Sequence, residues 1–204
     1  MNGRNGLAIA LVMLAAALAA PVQAADYPER SVNVIVPFPA GGASDTTARL
    51  ISARAAERLK QSFVIENRAG ANGALGAAAL KQAAPDGYTI LFGSIGVFAI
   101  NPVLIKDLKY DPQKDFDLLS VAVRTPNVLV VNPTLPVKSV AELIAHLKSN
   151  PGKITFASSG IGSSDHLTAA LFWRKTGTNG LHVPYRGGGP AINDLVAGPG
   201  NASC

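Results

Sequence analysis

Apolar residues in this chain fall into short unbroken runs, each followed by a Gly- or Pro-rich loop and then by a stretch with helical spacing. The run Val32-Asn33-Val34-Ile35-Val36 leads into Pro37-Phe38-Pro39-Ala40-Gly41-Gly42-Ala43-Ser44-Asp45. Beyond it, Leu50, Ile51, Ala55 and Leu59 share one helical face, with Arg49, Arg54, Arg58 and Lys60 mostly on the other. Ser44 or Asp45 is expected to cap that helix. A strand over 63–66 leads to Gly70-Ala71-Asn72-Gly73 and an alanine-rich helix over 74–84, stopped by Pro85-Asp86-Gly87. A strand over 88–92 then enters a third small-residue loop, Gly93-Ser94-Ile95-Gly96.

Two further strands are expected over 118–123 and 128–131, with a crossing between lobes near 124–127. Ser139-Val140-Ala141-Glu142 is a capping box, and Val140, Leu143, Ile144 and Leu147 form the buried stripe of the helix it opens. A strand over 154–157 runs into Ser158-Ser159-Gly160-Ile161-Gly162-Ser163-Ser164-Asp165-His166. The helix that follows is expected to turn Leu167, Ala170 and Leu171 inward. A strand over 181–183 and a helix from near Pro190 complete the series. Strand and helix alternate throughout, so the fold class is α/β with mostly parallel sheets.

At the N-terminus Arg4 precedes an apolar run over 7–20 and small residues over 21–25, which reads as a secretory signal peptide cleaved after Ala24 or Ala25. Of the 204 residues, 48% are hydrophobic and 15% charged, the balance of an ordinary globular protein. The formal net charge of +5 is spread along the chain with no basic cluster interleaved with aromatics, so no nucleic-acid face is expected. The single cysteine, Cys204, leaves no internal disulfide, and the core must hold by packing.

The candidate chemistry lies in the two strand–loop–helix copies at Gly41-Gly42 and Gly160–Gly162. Glycine lets backbone approach a ligand, and a helix N-terminus offers free N–H groups and a positive dipole end. Two such ends facing each other across a cleft would grip a carboxylate without a charged side chain. Other chemistries fit poorly. Asp165 stands where a dinucleotide fingerprint needs its third glycine, and no glycine-lysine pair of the Walker kind is present. Ser158, Ser159, Ser163 or Ser164 with His166 and Asp165 could be read as a hydrolase, but no nucleophile elbow surrounds them. Three scattered histidines make no metal site; His146 reads as solvated and His182 as structural. Phe38 reads equally as cleft wall or core, and Arg186 as a carboxylate partner or a solvated surface residue.

The segments Tyr27-Pro28-Glu29-Arg30, Val36 to Gly42 with Asp45, Glu66 to Ala71, Pro85-Asp86-Gly87-Tyr88, Ala99-Ile100-Asn101-Pro102, Tyr110-Asp111-Pro112, Asn150-Pro151-Gly152-Lys153 and His182 to Gly188 together resemble the substrate-binding receptors of tripartite tricarboxylate transporters, the Bug receptor family. The resemblance implies a periplasmic-binding-protein-like (type II) architecture: a signal peptide over 1–24, a first lobe over 25–124 and a second lobe over 125–204. It also implies that the second lobe is incomplete, because the family continues beyond residue 204. The implied function is capture of a small organic carboxylate in the periplasm, by a monomer that presents it to membrane subunits, with no cofactor and no catalysis. A sensory receptor uncoupled from transport would look the same. The ligand-binding residues implied are Phe38, Ala40, Gly41, Gly42, Ser44 and Asp45 in the first loop and Ser94 and Ala99 in the third. In the second lobe they are Ser158, Gly160, Gly162, Ser163, Ser164 and His166, with Tyr185 and Arg186. Val97-Phe98, where family members often carry a hydroxyl or histidine, suggests a more apolar wall.

Overall fold

A computed structural model describes residues 26–198 and 202–203; the signal-peptide reading and Cys204 lie outside the described residues. Two sheets organise the chain. In the first, β1 (Val32–Val36) lies between β2 (Phe63–Asn67) and β3 (Thr89–Leu91), all parallel, with Val34 beside Ile65 on one side and Ile90 on the other. A central parallel strand is covered on both faces, which explains why it is apolar except at Asn33: Val32, Val34, Ile35 and Val36 are all buried. Helices α1 (Ala43–Leu59) and α2 (Ala74–Gln82) connect these strands. A π-helical turn over Gly96–Ile100 and the short α3 (Asn101–Leu104) follow β3.

The second sheet has the order β4 (Val130–Val131), β7 (Ala202–Ser203), β5 (Thr155–Ser158) and β6 (Leu181–Pro184), parallel except for the β4–β7 pair. Its helices are α4 (Val140–Ser149), α5 (Ser164–Thr176) and α6 (Gly188–Ala197). The capping box at α4 forms as expected on one side, Ser139 Oγ accepting from the Glu142 amide at 3.2 Å. The return bond goes one residue further back, from the Lys138 amide to Glu142 Oε2 at 2.8 Å. Leu143 and Leu147 sit in the core with Leu135, Ile154, Phe156 and Ala202, while Val140 faces solvent.

Several expectations about helix faces are corrected. On α1 the buried positions are Asp45, Ala48 and Ser52, whereas Leu50, Ile51 and Leu59 are exposed. Small side chains on the buried stripe let this helix lie close to the sheet. On α5 the inward residues are Ala169, Phe172 and Trp173, and Leu167 and Leu171 are exposed. The Phe156–Trp173 edge-to-face pair, with ring centroids 5.1 Å apart, sets that rotation. No strand forms over 118–123. Leu118 and Leu119 are exposed there because no described strand runs alongside to complete a ladder.

In each sheet the loops leaving the carboxyl ends of the parallel strands gather at one edge, where open α/β sheets place ligands. These edges meet. A Cβ built on Gly187 would stand 2.9 Å from Pro39 Cδ, and one on Gly162 would stand 2.9 Å from Leu104 Cδ1. Asn72 Nδ2 donates across the junction to the Gly162 carbonyl at 3.0 Å.

Candidate functional site: a glycine-rich junction between two sheets

The first loop is held from within by Asp45. The chain turns at Gly41, with φ of +81°, a conformation glycine adopts freely. Asp45 Oδ2 then accepts from the Gly41 amide and from Arg49 Nε, each at 2.9 Å, and Oδ1 accepts from Asn67 Nδ2 at 2.9 Å. Asn67 Nδ2 also reaches the Phe38 carbonyl at 3.0 Å, tying the loop to the end of β2. Arg49, then the loop amide and Asn67, hold the buried Asp45 carboxyl down to about 2 against the opposing effect of burial.

Asp45 therefore does not cap α1. The N-cap is Gly42, with no side-chain acceptor. The amides of the first helical turn, Ala43 and Ser44, are left pointing outward without an intrahelical partner. A Cβ on Gly41 would meet nothing within 4 Å, so the space beside the loop is open. Phe38 turns away from it and packs among Ala74, Leu91 and Val97 of the first-lobe core. Val97 is fully buried in the same cluster, and Phe98, partly buried, packs edge-on against Phe116. Ala99 is exposed and lines an open groove with Phe98, Pro102 and Val103. The Ser94 carbonyl accepts from the Val97 amide at 3.0 Å and anchors the turn.

The second loop spends its polar groups differently. Asp165 Oδ2 accepts from the Ser159 amide at 2.7 Å and Oδ1 from its hydroxyl at 2.8 Å. His166 Nδ1 accepts from the Gly162 amide at 3.0 Å. Ser163 is the N-cap of α5: its Oγ receives the His166 amide and donates to the Gly160 carbonyl at 2.6 Å. Ser164 Oγ lies 3.4 Å from Asn127 Oδ1. The Gly162 amide and the third amide in the first turn of α5 are thus already occupied.

The uncapped end in this half belongs to α6. Its N-cap is Gly187, with φ of +117° and no side-chain acceptor, and side chains built on Gly188 and Gly189 would meet nothing within 4 Å. This is the loop that abuts Pro39. Two helix N-termini, those of α1 and α6, therefore approach the same junction with their first amides uncommitted, and the α5 end stands behind them as a braced wall. Of the residues around this end, the sequence points only to Tyr185 and Arg186 as ligand contacts. Tyr185 donates to Asp194 on α6 through a very short hydrogen bond. Arg186 is exposed and makes no ion pair or hydrogen bond among the described residues.

His166 and His182 stack with centroids 3.8 Å apart and planes within 7°. Ser158 Oγ lies 2.6 Å from His182 Nε2 and also contacts Gly160. The serine–histidine pair is thus Ser158 with His182, not His166; Ser158 is buried and Asp165 is engaged by Ser159. Burial, and then the neighbouring His166, push the His182 imidazole below its ordinary value, with Asp165 opposing. The sign follows from linkage: below about pH 6.5 the unfolded chain binds a proton more readily than the folded one. Stability contributed here is complete above that pH and lost on acidification through the folded value. Denaturant unfolding between pH 8 and 5.5 should show a fall in stability that His182→Asn flattens; an unchanged slope would remove His182 as its source.

Comparison with known proteins identifies the family. Residues 47–202 match the family model described as "Tripartite tricarboxylate transporter family receptor". Protein BugT of Bordetella pertussis is 40% identical over 200 residues, 97% of this chain and 61% of that protein. A Pseudomonas sp. protein described as "UPF0065 protein in tcbD-tcbE intergenic region" is 40% identical over 84% of this chain and 51% of its own length. Among solved structures, R. palustris Rpa4515 with adipate superposes with a TM-score of 0.85 at 40% identity, and MatC (Rpa3494) from Rhodopseudomonas palustris with bound malate with 0.81 at 36%. The chain covers 87% of itself in both alignments but only 59% and 60% of those proteins, so it spans about three-fifths of the two-lobe fold they share. This chain belongs to the tripartite tricarboxylate transporter receptor family.

Proposed function

We propose that the chain is a periplasmic receptor that captures a small organic carboxylate between its two lobes and presents it to membrane subunits of a tripartite transporter. The observation that carries this reading is the convergence of two uncapped helix N-termini, α1 at Gly42 and α6 at Gly187, on one open junction. The relatives with adipate and malate bound support the ligand class.

In the proposed complex the Ala43 and Ser44 amides and the Ser44 hydroxyl meet the carboxylate from one side, and the Gly188 and Gly189 amides meet it from the other. Arg186 supplies a nearby positive charge. Hydrogen bonds to a charged group are worth about 1.5–3 kcal/mol each, enough for several of them to reach the roughly −8 kcal/mol of micromolar binding after ordering costs. Because the contacts come from both lobes, the ligand favours the closed arrangement, and closure is the signal a membrane partner reads. Asp45, Asp165, Ser163 and His166 act by shaping the loops; Gly160 and Gly162 form the wall they brace.

A thermal-shift series tests the reading directly. Adipate or malate at about 100-fold above its Kd should add about 2.7 kcal/mol, a rise of several degrees, and Arg186→Ala should reduce that rise. The same concentration of a neutral diol should leave the melting temperature unchanged. No stabilisation by any mono-, di- or tricarboxylate would overturn carboxylate capture by this chain.

A further inference from the structure

A polar chain runs from the first-lobe core to the second-lobe loop, where it ends on the Gly162 carbonyl. Val97 O accepts from the buried Tyr110 hydroxyl at 2.6 Å, and that hydroxyl accepts from Asn101 Nδ2 at 3.2 Å. Asn101 Nδ2 also donates to the Asn72 carbonyl, and Asn72 Nδ2 returns a bond to Asn101 Oδ1, both at 3.0 Å. The second N–H of Asn72 crosses to the Gly162 carbonyl at 3.0 Å, between residues ninety positions apart.

Everything around Asn72 serves this placement. Its φ is +51°, a left-handed conformation that asparagine tolerates better than most residues. A Cβ on Gly96 would lie 2.8 Å from Asn72 Nδ2, so the absence of a side chain at Gly96 makes room for the amide. Asn101 and Tyr110 are almost wholly buried, which holds the donor in one orientation. The acceptor carbonyl belongs to the same residue whose amide is held by His166. The hydrogen bond therefore joins a core-anchored amide in the first lobe to a braced loop in the second.

We propose that Asn72 is a positioning residue that latches the lobes in the closed arrangement and so sets how tightly the cleft holds its ligand. The effect on affinity rests on the carboxylate-receptor reading; the effect on closure does not. A contact present in the closed state alone shifts the open–closed equilibrium, and the apparent affinity changes with the closed fraction.

The test compares Asn72→Gly and Asn72→Asp. Both tolerate the positive φ; glycine removes the donor, and aspartate sets a carboxylate against the Gly162 carbonyl. Nitroxide labels at Arg54→Cys and Arg174→Cys, in a Cys204→Ser background, report the inter-lobe distance by pulsed electron resonance with no carboxylate present. The unsubstituted chain should give a distribution with a closed and an open component. Asn72→Gly should shift it to longer distances, and Asn72→Asp should shift it further. If the chain binds malate or adipate, Asn72→Gly should weaken that binding about five-fold, the scale of one neutral hydrogen bond. Identical distance distributions in all three proteins would overturn the latch, whatever their melting temperatures. Failure to bind any carboxylate would overturn the receptor reading while leaving the distance test intact.

Discussion

Replacing Asp45 with alanine should lower the unfolding free energy by about 2–3 kcal/mol and the melting temperature by roughly 5–10 °C at neutral pH. Asp45 is 2% exposed and is the common acceptor for the Gly41 amide, Arg49 and Asn67, which come from the loop, the helix and the neighbouring strand. Removing it leaves Asn67 short of an acceptor and frees the turn at Gly41. Arg49 is half-exposed and can turn to water, which keeps the loss below the sum of three charged hydrogen bonds. Asp45→Asn keeps the shape and one acceptor and should fall between the two.

The pH dependence makes this prediction specific to the carboxylate. The folded value of about 2 lies below that of the unfolded chain, so the contribution is complete above about pH 4 and is lost as the pH falls toward 2. Unfolding curves of the unsubstituted chain and Asp45→Ala should therefore converge on acidification. Equal stabilities at pH 7 would show that the network contributes nothing net. Because the carboxylate also fixes the turn that leads to the first amides of α1, Asp45→Ala should weaken the proposed carboxylate binding through that turn.

Gly73→Ala should cost about 3 kcal/mol. The residue is buried with φ of +84°, a conformation that strains any residue with a Cβ. That atom would also stand 2.6 Å from Val97 Cγ2 and 3.3 Å from both Phe38 Cζ and Pro37 Cβ. Val97 is fully buried and has nowhere to move, so strain and overpacking add. Urea unfolding measures the loss. Gly189→Ala is the contrast: it has no positive φ and no neighbour within 4 Å, and its stability should stay within about 0.5 kcal/mol of the parent. A comparable loss at both positions would point to a general intolerance of added side chains. The Gly73 substitution presses on Pro37 and Val97 together, and so disturbs the first loop and the third from a single point.

Much of the architecture could be read from the chain. The run of β1, apolar except at Asn33, marks a strand covered on both faces, and the Ser139–Glu142 box with Leu143 and Leu147 marks α4. The strands over 63–66, 154–157 and 181–183 were expected within a residue or so of β2, β5 and β6. The failures share a cause. Leu50, Ile51 and Leu59 form a helical stripe, yet α1 buries Ala48 and Ser52 instead, because close approach to a sheet favours small residues over large ones. The apolar run over 118–123 has strand composition but no described neighbour to pair with. Asn72 was passed over as a loop residue between glycines, since its two partners lie far off in sequence.

Local patterning thus determined the order of strands, loops and helices, and that glycine loops would open helices at the carboxyl edges of two sheets. These features depend on backbone preferences and on alternation within a few residues. Only the tertiary structure decided which loop amides remain free. Asp165 and His166 reach back to take the Ser159 and Gly162 amides, while the ends of α1 and α6 have no side-chain cap. An N–H group is committed by whichever acceptor the folded chain brings within about 3 Å, and that distance is set by packing between segments that periodicity cannot relate.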